Sequence, residues 1–443
     1  MARRKKNKKI SKKELSFNIL SILVLLTICL YFGYRSIYYY TKQNNVNTSK
    51  VLAEIVKNNN KVTTEKNGFH KEKDGYAFKG IVENNYVKYS NRIFRIMKIS
   101  DNDSIQIVSD RNEGIIIWGD ESSYKNSNLY TWLTNKENGI YLNTLSDSNL
   151  LKEMTYNENT LLNNKIVKTK DKYTSKVRLL SIDDYIEFNG KNSFLNNGTY
   201  FWLLGQNKEK SNLYVDEKGS IDEAETYESY GIRPVMTLSS KTKITSGTGS
   251  KIDPYVIETK ENNYTGSYVK LGTDTWYVYS DVNNILKLSL NGYIPSNQGK
   301  LKKIFSSKTG VFDLTDKTGI AYYLNNTVYN SLAYKNILLD IENNIGEISN
   351  ETGFNIKNIY SNKVISKVSL LNIFDYNANE ALTDYYYINN TSSVGSMIYI
   401  NNNKGLIDED SIDNERHVVP TISIDKTILK NGLGTIDNPY VME

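Results

Sequence analysis

Hydrophobic and polar positions alternate along most of this chain, and the main departure is one continuous apolar run. LSFNILSILVLLTICLYFGY, from Leu15 to Tyr34, holds about twenty mostly apolar residues, the length a helix needs to span a bilayer. The chain then turns polar as far as Asn67. SKVLAEIVK interrupts that stretch with Val51, Leu52, Ile55 and Val56 at the spacing of one short helical face. From Gly68 the pattern has period two. GYAFKGIVENNYVKYSNRIFRIMKISDNDSIQIVSD places apolar residues at Tyr86, Phe94, Ile96, Ile105 and Ile107 between Asn, Ser and Asp turns, which predicts a meander of antiparallel strands. SNLYTWLTNKENGIYLNTLSDSNLLKEM reads as helical, and Ser181 with Asp184 three residues on predicts a capped helix start. An aromatic strand, TYFWLLG, and a last strand, GIRPVMTL, complete the series.

The same order then recurs. Gly247, Gly249, Pro254 and Tyr255 map onto Gly432, Gly434, Pro439 and Tyr440 at an offset of about 185, and Pro234 maps onto Pro420. Four of the five prolines fall inside this pattern, so the turns that proline and glycine impose are written twice. Tyr86-Val87-Lys88 matches Tyr268-Val269-Lys270, and Phe94 matches Trp276. KVRLLSIDDY at Lys176 matches KVSLLNIFDY at Lys367, with Asn372 and Asp375 taking the capping positions. Two tandem copies follow, at 68–258 and 264–443, each long enough to bury a core.

Charge and cysteine bear on location. Eight Lys and Arg residues precede the apolar run, and only Arg35 and Lys42 follow it closely. The positive-inside rule then gives a basic cytoplasmic tail at 1–14, a retained transmembrane helix at 15–34 contacting the lipid bilayer, and a stalk at 35–67 leading to extracellular domains. The formal net charge is +6, and those eight cations contribute +8, leaving about −2 for the remaining charges. A nucleic-acid surface is therefore not indicated. The lone Cys29 lies inside the apolar run, so the two copies carry no disulfide.

GYAFKGIVENNYVKYSNRIFRIMKI resembles the start of a domain of unknown function found in surface proteins of low-GC Gram-positive bacteria. Trp132-Leu133, Leu179 to Tyr185, Tyr200 to Trp202 and Gly231 to Val235 match the motifs that follow in that family. The prepilin pattern Gly-Phe-Thr-Leu-x-Glu of many relatives is missing. The order of elements is also similar to C-type-lectin-like domains of the formylglycine-generating-enzyme group, without that enzyme's cysteines and without the lectin calcium motifs. The resemblance implies an α+β fold, two tandem C-type-lectin-like domains rich in antiparallel strands behind the transmembrane helix.

Candidate chemistry is sparse. The histidines are His70 and His417 alone, which argues against a histidine triad, a zinc site or any other metal or cofactor centre. Tyr130, Trp132, Trp202, Tyr230 and Arg233 are the candidate ligand-binding residues, because aromatic and Arg side chains dominate interface hot spots and stack on sugars. In the alternative, Trp132 and Trp202 are core, and Arg233 caps a buried carboxylate such as Asp184. The expected protein is a membrane-anchored cell-surface binding protein, not an enzyme, recognising an extracellular glycan or protein through its first copy. A structural or assembly component of a bacterial surface apparatus is the second reading, and an extracellular enzyme the third.

Overall fold

The computed structural model describes residues 24–35, 50–135, 140–296, 299–306, 310–349, 352–376, 378–391, 396–401 and 406–442. The chain divides into two units, Met1–Lys50 and Val51–Glu443. In the first, residues 24–35 form a helix whose residues are exposed. Among the described residues no helix is long and apolar enough to cross a membrane. The single-pass anchor at 15–34 and the cell-membrane location are therefore corrected. The part of that run before residue 24 lies outside the described residues, as do most of the basic tail and the polar stretch at 36–49.

In Val51–Glu443 each copy is built on a mainly antiparallel sheet to which its own last strand adds in parallel. The first sheet runs in the spatial order Pro234–Leu238, Ile105–Ser109, Arg92–Ser100, Tyr86–Tyr89, Tyr255–Ile257, Ile244–Ser246. The second runs Thr421–Asp425, Ile285–Leu290, Asp274–Val282, Tyr268–Leu271, Tyr440–Met442, Leu429–Asn431. Each strand of one order is the counterpart of the strand in the same place in the other. A second sheet repeats as well: Ile115–Ile117, Ser229–Gly231, Phe201–Asn207, Asn212–Val215, Ile221–Ala224 answers to Lys302–Lys303, Arg416–His417, Tyr386–Tyr387, Ser396–Asn401, Leu406–Ser411. Even its parallel pairing is kept, Phe201 with Gly231 and Tyr386 with His417.

The duplicated ending has a local cause. Gly247 and Gly432 hold φ of 103° and 110°, and an added Cβ would lie 1.9 Å from Pro254 O and 2.2 Å from Pro439 O. Only glycine lets the chain fold back that closely on its own proline. Two residues on, Gly249 O accepts from Tyr86 N at 2.8 Å and Gly434 O from Tyr268 N at 2.9 Å. The glycine turn thus brings the end of each copy onto its first strand, where Tyr255 pairs in parallel with Val87 and Tyr440 with Val269.

Helices contribute little, which corrects the α+β lectin-like expectation to a β-rich fold. Among the described residues of Val51–Glu443, Leu52–Asn59 is an eight-residue α-helix that buries Leu52, Ala53, Ile55 and Val56 against the first copy, and a helix from Ile320 to Ser331 in the second copy is broken by a π-turn at Leu324–Val328. SNLYTWLT yields only Asn128–Thr134, capped by Ser127, because Asn, Thr and Tyr are weak helix formers and 3₁₀ turns follow. The predicted capping box at Ser181 and Asp184 does form, at the head of Ile182–Glu187.

Core residues of the second copy, including Tyr277, Ile356, Phe374, Tyr376 and Val419, belong to the same buried cluster as the first copy's core. Trp132 Nε1 donates to Phe374 O at 2.8 Å, and Asn128 Oδ1 accepts from Ile356 N at 2.6 Å. At the centre lie Arg92 and Glu113, both 1% exposed, with Nε and Oε2 3.6 Å apart. Tyr376 OH donates to Glu113 Oε2 at 2.8 Å, and the Arg92 guanidinium lies 4.3 Å from the Tyr376 ring and 5.1 Å from the Tyr141 ring. A buried charge pair of the first copy is thus completed by a tyrosine of the second.

Candidate functional site

A cleft of about 910 Å³ opens on the first copy, closed on one side by Ala378, Asn379, Glu380 and Leu382 of the second. Its floor comes from the opening hairpin. Ser90 and Asn91, with φ of 51° and 60°, form the two-residue turn that sets the register, so Tyr89 faces Arg92 and Tyr86 faces Arg95. The Arg95 guanidinium lies 3.8 Å from the Tyr86 ring and 5.0 Å from the Phe194 ring. Its Nε donates to Asn85 Oδ1 at 2.6 Å, Nη2 to Val82 O at 2.6 Å and Nη1 to Asp110 Oδ1 at 3.2 Å. Burial lowers its pKa, and Asp110 and the Tyr86 ring offset only part of that. Arg95 is therefore a fixed strut beneath the cleft, each of its three nitrogens donating to a protein acceptor.

The accessible lining is polar. The loop carrying Asn192, Asn196 and Asn197 forms one wall, Lys66 and Lys251 stand exposed at the rim, and Asn112 lines it near Thr199. Asn112 Nδ2 donates to Tyr200 O at 3.0 Å, while its Oδ1 is buried with no partner. Five cations and three carboxylates line the cleft. Asp110 is paired with Arg95, and Glu380 with Arg111 across the junction of the copies. Ser193 Oγ donates to Gly190 O at 3.2 Å and Thr199 Oγ1 to Asn197 Oδ1 at 2.8 Å, so neither hydroxyl is aimed at a carboxylate. The arrangement suits hydrogen bonding by amides and weak attraction of negative charge.

None of the five residues selected from sequence lines this cleft. Trp132 is buried and stacked 5.4 Å from Tyr141. Trp202 is buried too, with Nε1 donating to Ile116 O at 2.8 Å, and it meets Tyr230 edge to face at 4.7 Å. Tyr230 is buried, stacks on Tyr214 at 4.2 Å and donates its OH to Glu228 at 3.1 Å. Tyr130 is half-buried with its ring edge-on to Tyr124 at 5.4 Å. Arg233 is fully buried: Nε and Nη2 donate to Ser109 O at 3.1 and 2.9 Å, and Nη1 donates to Leu195 O. Burial brings its pKa down to about 10. Asp184 is held instead by Arg178, at 2.6 Å. Arg233 ties the strand end before Asp110 to the loop bearing Phe194, so it supports the cleft wall from behind. Tyr86 and Arg95 were visible in sequence through the Tyr-Ser-Asn-Arg hairpin, whose turn fixes their pairing.

Among the described residues no group of three or more His, Cys, Asp or Glu side chains converges to hold a metal. His417 is 14% exposed, lies 3.8 Å from Asp384 and packs on Tyr293 at 4.9 Å. Away from the cleft, Glu158 is buried, and burial pushes its pKa up to about 7 although Tyr124 N and Tyr173 OH donate to it. Comparison with family models, with curated proteins and with solved structures gives no match to this chain.

Proposed function

We propose that the protein is a binding protein, not a catalyst, and that it holds a glycan in the cleft between its copies. The observation that carries this reading is the lining: amide side chains from Asn67, Asn112, Asn192, Asn196 and Asn197 around a trough of about 910 Å³. Amide side chains carry both donors and acceptors, the pairing that sugar hydroxyls require, and with Oδ1 of Asn67 and Asn197 held by Ile81 N and Thr199 N these two would meet a ligand through Nδ2. The volume falls in the range of ligand sites and leaves room for a few sugar rings. Of the three carboxylates lining the cleft, Asp110 is engaged by Arg95 and Glu380 by Arg111, which supports binding over acid–base chemistry.

A glycan array probed with the full chain tests this. The triple variant Lys66→Ala, Asn192→Ala, Lys251→Ala changes exposed rim residues and should weaken the retained glycan about tenfold, with the melting temperature unchanged. Unaltered glycan affinity in that variant would remove the cleft as the site. If the array retains nothing and a protein ligand shows the same rim dependence, the ligand class is protein.

A further inference from the structure

The two copies share a buried aspartate at the start of the same short segment, and they treat its charge differently. In the first copy Arg178 Nη1 lies 2.6 Å from Asp184 Oδ2, and Ser181 Oγ donates to the same oxygen at 2.8 Å. Burial alone would raise the Asp184 pKa, and Arg178 brings it below the ordinary carboxylate value. In the second copy Asp375 keeps the cap, accepting from Asn372 N at 2.8 Å. The position of Arg178, however, is Ser369, whose hydroxyl is buried with no hydrogen-bond partner. Among the described residues no cation lies within ion-pair distance of Asp375. Burial raises its pKa, and the charge of Lys287 and the Asn372 amide offset only part of that.

Asp375 borders a cavity of about 140 Å³ where the first copy's Asn143 and Thr144 meet the second copy's Tyr279, Lys287 and Tyr360. Asn389 borders it too. That residue is 2% exposed, and its Oδ1 has no partner. The mouth lies by the exposed Asn143 and Val282. At about 30 Å³ per water, the volume holds a guanidinium-sized head with a few waters. The acceptors are in place and the cation of the sister copy is not.

We propose that the Asp375 cavity binds a compact organic cation, a guanidinium or primary ammonium head, completing the ion pair that Arg178 makes internally in the first copy. The head enters from the Asn143 side and donates to the Asp375 carboxylate and to Asn389 Oδ1. Lys287 sits on the wall as a competing charge, which holds the affinity down and favours a planar, weakly hydrated guanidinium over ammonium.

The test is calorimetric titration of the full chain with agmatine, with N-acetyl-arginine methylamide and with the neutral n-butylurea. Saturable binding of agmatine but not of butylurea is expected. Asp375→Asn should weaken it at least about tenfold, and Lys287→Gln should tighten it. Ser369→Arg supplies the guanidinium from within. It should raise the melting temperature and abolish agmatine binding, and it covers the case in which Asp375→Asn does not fold. Binding of the blocked arginine as well as agmatine would identify a protein side chain as the source of the cation, and agmatine alone would identify a free small molecule. No binding of either, equal binding of butylurea, or agmatine affinity unchanged in Ser369→Arg would overturn the proposal.

Discussion

Replacing Arg92 by Met should destabilise both copies at once. The guanidinium and the Glu113 carboxylate are each 1% exposed, so solvent cannot screen the charge that remains when one is removed. Breaking a buried pair from one side costs about 3–5 kcal/mol, because the surviving ion has neither water nor partner. Glu113 would retain Ser109 Oγ at 2.6 Å and Tyr376 OH at 2.8 Å, two donors that hold the loss near the lower end of that range. Tyr376→Phe removes one donor to a charged acceptor and should cost about 1.5–3 kcal/mol. In the double variant Arg92→Met, Glu113→Gln both charges are gone, so its loss should fall short of the sum of the single losses by about 0.5–3 kcal/mol. Urea unfolding of the full chain, followed by circular dichroism and tyrosine fluorescence, measures all four. Because Tyr376 belongs to the second copy and Arg92 to the first, the two probes should report one coincident transition. A loss below 1 kcal/mol for Arg92→Met, additive single losses, or separate melting of the copies would refute the reasoning.

Glu158 should impose a pH slope on stability. Its folded pKa is raised from 4.5 to about 7, so its contribution is full below pH 4.5 and is lost as pH rises through 7, about 3 kcal/mol in all. Unfolding free energies at pH 5 and pH 8 should differ more in the natural chain than in Glu158→Gln, and an equal difference would exclude Glu158 as the source. Gly247→Ala and Gly432→Ala should each lose at least about 1–3 kcal/mol in urea unfolding, since both positions need positive φ and an added Cβ would strike a proline carbonyl. A tolerated alanine at either would disprove the turn argument. Trp202→Ala should cost about 3–5 kcal/mol while glycan affinity in the surviving folded fraction stays the same; weakened affinity at full stability would return Trp202 to the binding surface.

What could be learned from sequence depended on how local its cause is. The duplicated endings and the cap at Ser181 each follow from residues a few positions apart, and each is found where the pattern placed it. The strand meander was legible for the same reason. The helical reading of the segment around Trp132 outran its composition, and two helical turns are all that form. The tryptophans were ambiguous because a large aromatic serves equally well in a core or at a surface, and only the carbonyls of Phe374 and Ile116 decide between the two. The cleft was hidden, since it joins loops near residues 66, 112, 195, 251 and 380 through tertiary structure alone. Glu113 and Tyr376 are 263 positions apart, and no periodicity links them. Counting apolar residues from Leu15 to Tyr34 gave a spanning length, yet the described helix covers only 24–35.

The junction of the copies is head-to-tail, each side presenting a different face, and contacts of that kind ordinarily propagate into filaments unless they close into a ring. Here the series has a built-in stop. Where the first copy carries Arg92 in its docking face, hairpin register puts Asp274 in the second, engaged by Tyr334 OH at 2.6 Å. Counting back from the edge strand, Lys300 stands in the place of Glu113, and it is tied to Asp384. Both charges are inverted, so an incoming third copy would find a socket of opposite sign already occupied by its own neighbours.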